Sequence, residues 1–309
     1  MTCCSPARPP VAGRGHNPPV SESVNPASPS SVRRFLASRG IRPSRRLGQN
    51  FLTDRGVAGR IVAASGLQPG ESCLEIGAGL GMLTDALTAA GARVTAVEVD
   101  ARLAEALAER MAGCANVRIV HGDFLKLDLR DLLSSIQQPV RVVANIPYSI
   151  TTPIIERLLE HRTAISGIAL LVQKEVAERV SASPGSRQYG SLSVFCQMFT
   201  EARVAFAVPR HLFYPEPEVE SVLLLMTPRE TGLAPDREDA ALRLARAAFT
   251  QRRKRIVNPL SELLGLPKEK VEDAMRRAGI DPARRAEELS VTDFVRLAEL
   301  LLPSASGPV

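Results

Sequence analysis

One stretch limits the folds open to this chain more than any other. Cys73-Leu74-Glu75-Ile76 is a short apolar run that breaks into Gly77-Ala78-Gly79-Leu80-Gly81, after which residues 82–90 read as a helix. A second apolar run, 94–99, ends at Glu98-Val99-Asp100, and an amphipathic helical pattern follows over 101–111. A third run, 117–120, leads into Gly122-Asp123-Phe124, and a fourth, 140–144, stops at Asn145-Ile146-Pro147-Tyr148. A helix over 153–160, a strand over 167–172 and a helix over 174–180 continue the alternation. Near-continuous apolar strands separated by helices describe a mostly parallel sheet covered on both faces. The expected class is α/β, with ligands at the carboxyl ends of the strands.

Around this core the chain divides further. Residues 1–30 hold seven prolines and few large apolar side chains, so a disordered tail is expected there. A basic helix is expected over 32–39, stopping at Gly40, followed by a polar loop up to Leu52; Asp54 reads as the N-cap of a helix through Ala64. Beyond 180, residues 183–190 read as a mobile loop, and 204–208 and 222–226 as strands, plausibly antiparallel. From about 231 the pattern becomes wholly helical (238–249, 259–264, 268–278, 291–301), which places a second unit at 231–302 and a disordered tail at 303–309. Cys73, Cys114 and Cys196 sit in apolar contexts and read as reduced core residues. No metal-ligand spacing, no apolar run long enough to cross a membrane and no apolar leader is present, so a cytoplasmic protein without a metal is expected; a monomer is the expected state.

Charge placement points to a partner. The chain carries net +6, but residues 31–46 contribute six Arg and no acid, and residues 241–260 five Arg, Lys254 and no acid. Each block is +6, so the remainder is −6. Concentrated basic segments on an acidic body suit a polyanion, and nucleic acid is the expected partner.

The strand ends carry the candidate chemistry. Glycines 77, 79 and 81 permit a tight turn and close backbone approach to a ligand. Gly81 falls two residues after Gly79 where the dinucleotide fingerprint has three, and position 82 is Met. Glu98, 21 residues after Gly77, suits a carboxylate accepting both hydroxyls of a ribose. An adenosine-bearing cofactor is expected; the loop alone does not choose which. Asp123 suits either an adenine amino group or the capping of a turn.

Asn145-Ile146-Pro147-Tyr148 suits an aromatic amine. The lone pair of adenine N6 is delocalised into its ring, so the amine is a poor nucleophile. Acceptors on its NH2, such as the Asn145 side-chain oxygen and the Ile146 carbonyl, favour a pyramidal nitrogen as attack develops. Pro147 restrains Ile146, and Tyr148 offers a stacking face of about 1–3 kcal/mol. With a cationic sulfonium methyl as electrophile no strong general base is needed. No Ser-His-Asp or Cys-His arrangement accompanies His16, His121, His161 or His211.

Taken with Leu47-Gly48-Gln49-Asn50-Phe51-Leu52, the 213–221 stretch Phe-Tyr-Pro-Glu-Pro-Glu-Val-Glu-Ser and Phe249-Thr250-Gln251-Arg252-Arg253-Lys254, these motifs resemble the small-subunit rRNA adenine N6-dimethyltransferases. The resemblance spans about 44–300. It implies a Rossmann-like methyltransferase domain over 31–230 and a helical RNA-binding domain over 231–302, with S-adenosylmethionine as cofactor. It further implies that Asn50, Leu52, Gly77, Glu98, Asp123 and Asn145 lie at the cofactor, that Asn145 and Tyr148 hold the base, and that Phe213 closes the far side of the adenine pocket. Two adjacent adenosines in a hairpin near the 3′ end of small-subunit rRNA, on the immature subunit, would each receive two methyl groups. Arg45, Arg46, Arg252, Arg253 and Lys254 would grip RNA phosphates. Two departures touch RNA contacts: Glu218 where the family usually has Lys, and Pro259 after the basic stretch. The alternatives are a large-subunit adenine methyltransferase of the macrolide-resistance type and a non-catalytic ribosome-assembly factor; a nicotinamide dehydrogenase lacks the glycine spacing.

Overall fold

The computed structural model describes residues 25–44 and 48–302, so Arg45, Arg46, the expected tail at 303–309 and all but 25–30 of the expected tail at 1–30 lie outside the described residues. The chain begins with helix α1 (Pro29–Ser38), the two-residue strand β1 (Phe51–Leu52) and α2 (Arg55–Ser65). Strands and helices then alternate through β2 (Ser72–Ile76), α3 (Met82–Ala89), β3 (Arg93–Glu98), α4 (Ala101–Met111), β4 (Val117–His121), α5 (Leu129–Ser134), β5 (Val140–Asn145), α6 (Thr151–Glu160), β6 (Ile165–Gln173) and α7 (Lys174–Val180). Next come α8 (Ser191–Phe199), β7 (Thr200–Val208), β8 (Phe213–Tyr214) and β9 (Ser221–Pro228), and last α9 (Pro235–Ala248), α10 (Val257–Leu264), α11 (Lys268–Arg277) and α12 (Val291–Leu301).

Seven strands form one sheet in the order β4-β3-β2-β5-β6-β9-β7, and β1 pairs with β8 in a separate ribbon. Strands β2 to β6 are parallel, while β9 runs antiparallel to both β6 and β7. The alternation along each strand explains the apolar runs. Leu74, Val142, Ala144 and Leu170 point into one core with Ile154, Ile155 and Leu158 of α6, while Cys73, Val143 and Leu171 point into another with Ile61 of α2 and Leu87 of α3. Both faces are buried, so neither face needs polar residues. The first core continues into the final helices through Ala241, Leu244, Phe294 and Leu297.

Several expectations shift. Residues 25–30, within the expected tail, are structured: Ser28 caps α1 by accepting from Ser31 N at 3.3 Å, and Pro29 occupies the first turn. Proline is at home there, because the first helical N–H groups have no partner in any case. Val32, Phe35 and Leu36 then bury against Phe51, Leu80 and Leu103. The stretch 183–190 is anchored rather than loose. Tyr189 is fully buried, and Gly185 N donates to Glu287 O at 2.7 Å. Helices α5 and α8 were not expected. Pro259 falls on the third residue of α10, inside the first turn, so it displaces no helical hydrogen bond.

Candidate active site

The chain passes from β2 outward to β3 and β4, then returns to β5 on the other side of β2. This reversal opens a crevice at the carboxyl ends of β2 and β5. Ile76 is in register with Val97 of β3 and with Ala144 of β5. One step further, Gly77 therefore lies between Glu98 and Asn145. A Cβ on Gly77 would come within 3.5 Å of the Asn145 carbonyl oxygen.

The cleft here encloses about 730 Å³, part of it open to solvent, and is lined by Asn50, Leu52, Glu75, Gly77, Glu98, Asn145 and Tyr148 among others. A second cavity, walled by Phe124, Gly122 and Asp123, meets it at Gly77, Val99 and Pro147. The two form one two-lobed groove across the strand ends.

The glycine loop is shaped from two sides. Gly79 N donates to Glu98 Oε2 at 2.7 Å, and Asp100 N donates to Oε1 at 2.9 Å. Burial raises the Glu98 carboxyl above its ordinary value, partly offset by these N–H groups. Gly81 has φ +82°, and a Cβ there would lie 2.0 Å from Arg110 Nη2. Arg110 fills that space. It donates to both oxygens of Asp85 at 2.7 and 2.8 Å and to Leu80 O at 2.7 Å, fastening the loop to α4. Arg110 was not singled out in the sequence, because its partners lie 25 and 30 residues away.

Glu75 was also passed over, though it sits in the same motif. Its carboxyl is buried in the cleft wall and accepts from Thr84 Oγ1 at 2.7 Å. Desolvation pushes its pKa up to about 8. A charged residue inside an apolar strand was the available signal.

Asn145 ends β5. Its Nδ2 donates to the Asn50 carbonyl at 2.9 Å, which orients the amide and leaves Oδ1 as the acceptor edge. Segment 48–52 is brought to this point by the β1–β8 ribbon, in which Leu52 faces Phe213 and Phe51 faces Tyr214. Gly48 presses on Pro147: a Cβ there would stand 3.1 Å from Pro147 Cβ. Pro147 leads into a single 3₁₀ turn, with its carbonyl accepting from Ile150 N at 3.2 Å. Tyr148 is half-buried on the cleft wall, its hydroxyl 2.5 Å from Ser221 Oγ.

Not every expected residue joins the cleft. Phe213 is buried in the core with Val57 and Val208 and is not among the cleft-lining residues; in this conformation it braces β1. Asp123 does cap a turn, accepting from Leu125 N at 3.0 Å, and also walls the second lobe. Arg253 and Lys254 are exposed. Arg252 is committed elsewhere: Nε meets Glu287 Oε2 at 2.9 Å, and Nη2 donates to Tyr189 O at 2.8 Å and to Arg187 O. Arg255 is likewise paired, with Glu272 at 2.9 Å. Among the described residues no group of three or more His, Cys, Asp or Glu could hold a metal ion, and no helix is long and apolar enough to cross a membrane.

Comparison with known proteins agrees with this geometry. The family profile described as ribosomal RNA adenine dimethylase matches residues 41–302. A ribosomal RNA small subunit methyltransferase A from Moorella thermoacetica is 43% identical over 283 residues, covering 89% of this chain and 98% of the relative. One from Geobacillus thermodenitrificans is 41% identical over 286 residues, 90% and 97%. Among solved structures, the 23S rRNA methyltransferase ErmE superposes with TM-score 0.64 at 31% identity, covering 82% of this chain and 99% of that one. A dimethyladenosine transferase from Plasmodium falciparum gives 0.66 at 26% identity, covering 78% and 94%. By sequence along nearly its whole folded length, and by the Rossmann-like fold that carries its cleft, this chain belongs to the ribosomal RNA adenine dimethylase family.

Proposed function

We propose that the chain uses S-adenosylmethionine to dimethylate the N6 amino groups of two adjacent adenosines in a hairpin near the 3′ end of small-subunit rRNA, on an immature subunit. The observation that carries this reading is the Asn145 amide. Its Nδ2 is held by the Asn50 carbonyl and it lines the cleft with Gly77, Glu98 and Tyr148, which supports its oxygen as the acceptor where donor and base come together.

The groove fits the cofactor on its own chemistry. Glu98 ends β3 as a buried carboxylate suited to ribose hydroxyls, the lobe beside Asp123 and Phe124 suits a flat base with an amino edge, and the glycine loop leaves backbone room between them. When bound, S-adenosylmethionine supplies a methyl group on a cationic sulfur. The protein's part is placement. Asn145 Oδ1 accepts from the N6 amine, the Ile146 carbonyl offers a second acceptor, and the Tyr148 ring supports an extruded base. Neither cleft carboxyl is set up as a general base: Glu98 already holds two N–H groups, and Glu75 keeps its proton to about pH 8, so the N6 proton, acidic once the nitrogen is alkylated, leaves to water.

The helices over 231–302 are assigned as the RNA-binding domain, with Arg253 and Lys254, together with Arg45 and Arg46, as phosphate contacts; the protein is read as a cytoplasmic monomer. The small-subunit assignment is supported by the relatives of that name, at 43% and 41% identity, against 31% for the 23S enzyme. Labelled S-adenosylmethionine supplied with immature small subunits and with large subunits tests it. Label on small-subunit adenosines is expected. Label on large-subunit RNA alone favours the macrolide-resistance reading, and no transfer despite RNA binding favours an assembly factor.

A further inference from the structure

Tyr148 is fastened at its far end by a group that the chemistry above does not call on. Its hydroxyl and Ser221 Oγ lie 2.5 Å apart, each able to donate to the other. Ser221 opens β9 and is fully buried. It faces Gln173 of β6 on one side and Val208 of β7 on the other, and the preceding residue, Glu220, accepts from Lys174 N at 3.1 Å. The Ser221 backbone is thus held by strands on both flanks. Tyr148, by contrast, stands on a three-residue 3₁₀ turn, which sets its backbone but not its side-chain torsions.

The composition of β9 sharpens the point. The residues after Ser221 are Val222, Leu223, Leu224 and Leu225, all buried and apolar. A hydroxyl at the head of such a strand is costly unless bonded, and Tyr148 is the side chain that bonds it. Burial also raises the phenol above its ordinary pKa.

We propose that Ser221 is a positioning residue for the methyl transfer: it fixes the tilt of the Tyr148 ring, and so the plane in which the target adenine presents N6 to Asn145. This rests on the functional reading above. The phosphate contacts dominate affinity for the whole RNA, so loss of the bond acts on the rate with bound substrate rather than on binding. Ser221→Ala and Tyr148→Phe should each lower kcat about fivefold, the scale of one neutral hydrogen bond, with KM for RNA and affinity for S-adenosylmethionine within about twofold of wild type. The double variant should be no slower than the slower single variant, because both remove the same bond.

Wild-type kcat in Ser221→Ala, or losses that multiply in the double variant, would overturn the coupling while leaving the functional reading intact. Should Ser221→Ala fail to fold, Tyr148→Phe alone decides: an undiminished kcat contradicts the proposal. Absence of transfer by the wild-type protein would remove the functional reading, and this inference with it.

Discussion

The cleft at the strand ends and the basic stretch at 252–255 use polar groups in opposite ways. In the cleft, Glu98, Glu75 and Asn145 are each engaged by a specific donor or acceptor: Gly79 and Asp100 N–H, the Thr84 hydroxyl, the Asn50 carbonyl. These bonds set the direction of each polar group at the sheet's edge, as differential stabilisation of a transition state requires. On the basic stretch the cations are exposed, and two of them, Arg252 and Arg255, are already paired with Glu287 and Glu272. A flexible, solvated cation suits a phosphate backbone, where charge counts more than direction. Net charge in a segment is therefore a poor count of the charges free to meet RNA.

Substitutions can break this contrast. Glu98→Ala should weaken S-adenosylmethionine binding about tenfold to a hundredfold, the worth of charge-assisted hydrogen bonds, and leave RNA affinity unchanged; calorimetric titration reads both. An unchanged cofactor affinity would take Glu98 out of the site. Replacing Arg253 and Lys254 together by Gln should lower the salt dependence of RNA binding by about two units of slope without touching cofactor affinity. Arg252→Gln should do something else. It frees Glu287 and the Tyr189 carbonyl, so melting should show a loss of about 1 kcal/mol while the salt slope stays at the wild-type value. If Arg252→Gln flattens the slope as the other pair does, the ion pair with Glu287 opens to phosphate and the contrast is weaker than described.

A further effect, on pH dependence, concerns Glu75. Its folded-state pKa of about 8 lies above the unfolded value, so the folded protein holds the extra proton between the two. Stability should then fall as pH rises from about 4.5 to about 8. Glu75→Gln, which keeps an acceptor for Thr84 but cannot ionise, should show a flatter dependence of Tm on pH over that range. Parallel curves for the two proteins would mean that Glu75 does not stay protonated.

Much of the cleft was legible because its information is local. A strand, a glycine turn and a helix specify one another over a few residues, and Glu98 and Asn145 sit at the ends of strands whose apolar runs announce them. Other features depended on distant partners. Arg252 reads as a free cation until Glu287, 35 residues on, is folded against it. Phe213 reads as a pocket wall, but pairing with Leu52 puts it into the core. Helix α8 is buried on nearly every side, and its short apolar run reads as strand as readily as helix. Pro29 begins a helix in a stretch whose proline content argues for none.

The central claim is that Asn145, oriented by the Asn50 carbonyl, assists attack by the N6 amine beyond its share in holding base and cofactor. Single-turnover methyl transfer by Asn145→Ala, at saturating RNA and S-adenosylmethionine, tests it most directly. The account predicts a rate loss of about a hundredfold or more, comparable to removing one preorganised polar group from a transition state, with RNA affinity held at the wild-type level. Transfer at a near wild-type rate would contradict it.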